Sequence, residues 1–212
     1  MSLPAPDQLR ALILERFSDA QIELVPNEAP NASPSLLLGA RAFDVARFLR
    51  DDPALQLDYL SNATGVDYLD ATLKEKIKVK KVVDGVEKEV EEMIEKKRAG
   101  YLEVVYHLYS MSLKHGPVVI RLRTQNRADK VHLPSMTPLW RSAEFQEREI
   151  FDLYGIIFDG HPDLRRILMW DGFKDFPMRK DYAEPDDYEY EPTPHDDVLA
   201  KAKRHYPTGA AA

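Results

Sequence analysis

The stretch EREIFDLYGIIFDGHPDLRRIL, Glu147 to Leu168, runs from the end of an amphipathic helix into a rigid polar turn and then a basic–apolar exit. Glu144 and Arg148 are four residues apart, as are Arg148 and Asp152, the spacing of an i,i+4 charge ladder. Exposed pairs of that kind contribute only about 0.3–0.5 kcal/mol each, so they describe an ordinary surface helix as readily as a functional one. Three features go beyond the ordinary. Glu147 shares a helix face with Phe151 and Tyr154, which sets a carboxylate in an aromatic patch. Gly155-Ile156-Ile157-Phe158 leads straight into Asp159-Gly160-His161-Pro162. Arg165-Arg166 then precedes Ile167-Leu168-Met169-Trp170. Acids, arginines and aromatics concentrated in this way predict a docking surface.

Working outward, Thr137-Pro138 has the form of an N-cap and N1 proline, predicting a helix over Leu139 to Tyr154 that Gly155 ends. Before it, Leu102, Val104, Tyr106 and Leu108 alternate with their neighbours, and so do Val118, Ile120 and Leu122. The short LKHGP connection predicts antiparallel neighbours. Helical spacing recurs over Asp7–Phe17, with Asp7 as the cap, and over Ala42–Arg50, which Asp51-Asp52-Pro53 stops. Ile22–Val25 and Leu36–Leu38 are short strand candidates, and Thr64-Gly65 suggests a turn between Leu57 and Leu69. The order predicts an α+β fold, with helices on one face of a largely antiparallel sheet.

Two segments differ in character. Between Ala71 and Ala99, 16 of 29 residues are charged. Asp84-Gly85 predicts a hairpin there, while Val86, Val90, Met93 and Ile94 keep a helix open as the rival. From Asp181 to Asp197 there are eight acidic residues and no basic one, with Tyr182, Tyr188 and Tyr190 among them. A solvating acidic tail and an arm that orders on a partner both fit, and the tyrosines tilt the reading toward the arm. The expected organisation is a domain over 1–175, carrying the charged insertion 71–99, and an extended C-terminal arm over 176–212.

Composition narrows the function. At 212 residues, 44% apolar and a formal charge of −7, the chain reads as globular and not as a general nucleic-acid binder. It has no cysteine, hence no thiolate ligand for zinc or an iron–sulfur cluster. The N-terminal stretch does not read as a signal peptide, and no stretch has the roughly 18 consecutive apolar residues a spanning helix needs. The sequence holds no glycine-rich phosphate loop, HExxH or nucleophile elbow, and the six histidines (His107, His115, His132, His161, His195, His205) show no ligand spacing.

The Glu147–Leu168 stretch resembles the signature of the 30 kDa family of respiratory complex I, which comprises its C-type subunits. That signature is ERE, two residues, an acid, two large apolar residues, six residues, His or Lys, three residues, a basic residue or Pro, one residue, and two apolar residues. Glu147-Arg148-Glu149, Asp152, Leu153-Tyr154, His161, Arg165 and Ile167-Leu168 fill every position. GVDYLD (65–70), LEVVYHLYS (102–110), SMTPLWRSAEF (135–145), DGF (171–173) and PMRKDY (177–182) resemble family segments in order. The charged insertion and Met169-Trp170 depart from the pattern.

The resemblance implies a member of a proton-translocating NADH:quinone oxidoreductase that holds no cofactor itself. FMN and Fe-S clusters would sit in partner subunits, and this chain would contact subunits D, B and I near the quinone site. It implies a peripheral protein on the cytoplasmic side of the bacterial inner membrane. Glu147, Arg148, Glu149, Asp152, His161, Arg165 and Arg166 would be interface and positioning residues, with no catalytic role. The alternative is the equivalent component of a related membrane hydrogenase, or of a dehydrogenase with another electron donor.

Overall fold

Alternation along one strand organises the molecule. In β6 (Tyr101–Ser110), Leu102, Val104, Tyr106 and Leu108 are fully buried, and they face the core together with Val118, Ile120 and Leu122 of β7 (His115–Arg123). The computed structural model describes residues 3–27, 33–83, 86–170 and 172–183, with backbone alone over 73–94. The central sheet has the order β1-β2-β7-β6-β3, where β1 is Ile22–Val25, β2 is Ser35–Leu38 and β3 is Tyr59–Tyr68. Among the described residues its one parallel pairing is β2 with β7, so the sheet is largely antiparallel, as predicted.

The register lines up Leu38, Leu122, Val104 and Gly65 across four strands, and Leu36, Ile120, Tyr106 and Ala63 beside them. A bulge between Leu60 and Asn62 shifts the phase by one residue, which keeps both Leu60 and Ala63 turned inward. Helices α1 (Pro6–Arg16), α2 (Ala42–Asp51) and α3 (Ala143–Tyr154) bury Leu9, Ile13, Val45, Leu49 and Ile150 in the same core. Burying each such side chain stabilises the fold by about 1.5–3 kcal/mol. The architecture is the expected α+β arrangement.

Several local expectations shift. Thr64-Gly65 makes no turn, because β3 runs through it. A Cβ at Gly65 would lie 2.7 Å from the Tyr154 ring, so this glycine marks a close approach of α3 and not a bend. Helix α3 begins at Ala143, four residues after Leu139, because the Thr137 side chain bonds to Glu147 instead of capping. Gly155 ends the helix at φ 80°, as predicted. The first helix takes Ala5 as its N-cap, with Pro6 in its first turn and the Ala5 N–H donating to Gln8 Oε1.

The charged insertion forms a hairpin of β4 (Ala71–Val83) and β5 (Val86–Arg98). Its turn at Asp84-Gly85 lies outside the described residues, as does the tail from 184 to 212. A short parallel pair not anticipated from sequence, β8 (Val131–Pro134) with β9 (Ile156–Asp159), anchors the chain on either side of α3. Residues 176–183 lie against the fold, with Phe176 at Gly155 and the Arg179 Nε donating to the Tyr154 carbonyl at 2.8 Å.

Candidate interaction site

Helix α3 carries two carboxylates that are both 0% exposed, and each ties down a different loop. Glu147 points toward the sheet. Its Oε1 accepts from the Met136 N–H at 2.7 Å and the Tyr106 hydroxyl at 3.1 Å. Its Oε2 accepts from the Ser135 hydroxyl at 2.5 Å and the Thr137 hydroxyl at 2.9 Å. Every donor is neutral. Burial raises the Glu147 carboxyl above its ordinary value, against the pull of these four bonds. Burial, with Glu147 beside it, pushes the Tyr106 hydroxyl well above its usual range, so it remains a donor.

Asp152 points the other way. Its Oδ2 accepts from the N–H groups of Ile167, Leu168 and Met169 at 3.0, 2.7 and 2.8 Å, and its Oδ1 pairs with Arg166 Nη1 at 2.6 Å. Burial alone would raise this carboxyl, but the three N–H groups and the guanidinium outweigh it and hold it below its ordinary value. The Arg166 guanidinium also stacks on the Phe173 and Phe176 rings, at 5.6 and 5.7 Å.

The predicted charge ladder does not form. Arg148 turns away from Glu144, and its Nε and Nη2 donate to the carbonyls of Arg165 and Arg166, both at 3.2 Å. Its cation also lies 3.9 Å from Asp163 and over the Phe145 ring. The loop offers backbone carbonyls that need a donor, and satisfying them outweighs an exposed i,i+4 pair. Glu147 likewise sits in a cage of hydroxyls and one backbone N–H, with Tyr106 from β6 as its aromatic neighbour instead of Phe151 and Tyr154. His161 braces the turn: its Nδ1 accepts the Asp163 N–H at 3.1 Å, which leaves the Nε2 proton for the Glu144 carbonyl at 3.0 Å.

Arg148, Asp152, His161 and Arg166 are thus brought together as the inner frame of one loop, residues 161–169, while Glu147 fixes the same helix to residues 135–137 and to β6. Arg165 and Glu149 face outward. The Arg165 side chain is 69% exposed beside Asp163, and Leu168 at 56% and Phe145 at 57% are also exposed. A groove of about 490 Å³ lined by Thr137, Pro138, Arg141, Glu144, Gly160 and Pro162 adjoins this surface. The partners Tyr106, Ser135 and Thr137 were not legible in the sequence, because no spacing rule links a strand, a loop and a helix. A second frame, also missed, joins Arg127 to both Asp67 and Asp181, with the Lys180 N–H on Asp67 at 2.8 Å.

No group of three or more His, Cys, Asp or Glu side chains among the described residues is placed to hold a metal ion. No helix among them is long and apolar enough to cross a membrane. The fold and this site define a chain whose most elaborate polar construction organises a surface loop. Residues 39–188 match the family described as respiratory-chain NADH dehydrogenase, 30 Kd subunit, and the chain belongs to that family.

Relatives agree. Over 178 residues the chain is 37% identical to a Rhizobium etli protein named as C subunit 2 of NADH-quinone oxidoreductase, covering 84% of this chain and 77% of the relative. It is 40% identical over 150 residues to the C subunit of the Coxiella burnetii NADH-quinone oxidoreductase, covering 69% and 65%, so it spans less than two thirds of that protein. A solved trypsin-resistant fragment (1-134) of Nqo5 is 28% identical with a TM-score of 0.40, covering 73% of this chain and 97% of the fragment.

Proposed function

We propose that this chain is a scaffold component of the peripheral arm of a proton-translocating NADH:quinone oxidoreductase, with no direct part in electron transfer. NADH oxidation at FMN, and passage of electrons through iron–sulfur clusters to quinone, belong in this reading to partner subunits. The chain itself braces the connecting region near the quinone site against subunits D, B and I. It reaches the cytoplasmic face of the bacterial inner membrane only through them.

The observation that carries the reading is the division of labour within Glu147–Leu168. Buried Asp152 and two arginines fix a loop from inside, buried Glu147 ties their helix to the sheet, and that loop displays Arg165 and Leu168. So many buried polar bonds behind an exposed apolar and charged surface support docking. The lack of any cysteine supports leaving the clusters to other chains.

The test is affinity purification of the tagged full chain from detergent-extracted membranes. Recovery with FMN, iron–sulfur clusters and NADH:quinone activity is expected. Recovery as a lone protein would overturn the scaffold reading, and recovery with a hydrogenase lacking an NADH-oxidising component would overturn the assignment of the electron donor.

A further inference from the structure

The sheet face opposite the helices carries a cationic, aromatic surface that the signature loop does not use. Tyr68 and Tyr101 are paired across β3 and β6, with ring centroids 4.7 Å apart. The Arg98 guanidinium lies over both rings, at 5.6 and 5.4 Å, and Arg123 lies over Tyr101 at 4.2 Å. The Lys180 ammonium sits 6.0 Å from the Tyr68 ring.

Among the described residues one acid pairs with this group. Glu103, fully buried, is shared by Arg121 at 2.7 Å and Arg123 at 3.1 Å. Arg98 and Lys180 form no ion pair among the described residues, and the Arg98 Nε is buried without a hydrogen-bond partner there. Among the described residues the face therefore holds more positive charge than it neutralises, at a point where an unmatched guanidinium donor is costly.

The chain's own acidic segment begins beside it. Arg127 clasps both Asp181 and Asp67, and the Lys180 N–H bonds to Asp67, so the backbone is held at the end of β3 just before residue 184. Residues 184–197 contain seven acidic residues (Glu184, Asp186, Asp187, Glu189, Glu191, Asp196, Asp197) and no Lys or Arg, with Tyr188 and Tyr190 between them. Five residues of extended chain, from Ala183 to Tyr188, reach up to about 17 Å. Crossing from β3 to β7 takes two strand spacings, about 10 Å.

We propose that residues 184–197 dock in cis on this face, with their carboxylates against Arg98, Arg123 and Lys180 and their tyrosines beside Tyr68 and Tyr101. Charge complementarity and the exit point of the chain favour this occupant over a segment from another protein. The docking is separate from the signature loop, so it can fail while the scaffold reading stands.

The test places the photo-cross-linking amino acid p-benzoylphenylalanine at position 188 of the full chain. Intramolecular cross-links to peptides containing Tyr68, Arg98 or Tyr101 are expected. Their yield should fall about fivefold in about 0.5 M salt, where the screening length drops to about 4 Å. It should fall similarly in the R98E/K180E variant and persist in R98K. If R98E/K180E proves unfolded by circular dichroism, the salt series on the otherwise unaltered chain decides. Cross-links to other regions, to another protein, or with a yield indifferent to salt would overturn the proposal.

Discussion

Glu147 and Asp152 lie five residues apart on one helix, are equally buried, and have opposite shifts. The difference lies in their donors. Glu147 receives four bonds, from three neutral hydroxyls and one neutral N–H, which do not offset its loss of water. Asp152 receives three converging N–H groups and a guanidinium, which do. The first ties α3 back to the sheet, and the second ties the surface loop forward to α3. The carboxylate that closes the surface loop has a cation to hold, whereas the one facing the core has only dipoles.

The comparison is broken most directly by Asp152→Ala. Arg166 would lose its partner and three N–H groups their acceptor, and a cost of about 3–5 kcal/mol is expected in urea unfolding of the purified chain. Glu147→Ala should cost less, about 2–3 kcal/mol, because the donors it strands are uncharged. A larger loss for Glu147→Ala than for Asp152→Ala would invert the account. Gly65→Ala tests the sheet side of the same helix: its Cβ would meet the Tyr154 ring, and overpacking of about 1–3 kcal/mol should lower the melting temperature.

The smallest expected effect depends on pH and sharpens the contrast in sign. Glu147 has a folded value above 4.5, so the chain loses stability as pH rises from 4.5 through that value, and Glu147→Gln should remove this decline. Asp152 has a folded value below 3.8, so its contribution is full above 3.8 and lost as pH falls through the folded value. The penalty of Asp152→Asn should therefore shrink in acid. Unfolding midpoints across acid and neutral pH read both slopes, and identical pH profiles for the two variants would contradict the assignment of donors.

Much of this was legible in the sequence where a single element decides. The alternation of Leu102 to Leu108 and of Val118 to Leu122 placed two central strands, and Gly155 placed a helix end. Legibility failed where a residue's partner lies far along the chain. Gly65 looked like a turn because its reason, the Tyr154 ring, is 89 positions later. Thr137-Pro138 looked like a helix start because its hydroxyl's real acceptor, Glu147, could be found only after α3 had folded. The i,i+4 ladder failed for the same cause: loop carbonyls at 165 and 166 claimed Arg148. The signature spans the helix end and the turn, yet only the structure separates its inward residues from Arg165 and Glu149.

The central claim is that the buried half of the signature builds a surface whose exposed half docks into the oxidoreductase. The most direct measurement compares Leu168→Asp with its parent in two assays, unfolding of the purified chain and native electrophoresis of detergent-solubilised membranes. Leu168 is 56% exposed, so a stability change within about 0.5 kcal/mol is expected together with loss of the assembled complex. A fully assembled, active complex containing the variant would contradict the account.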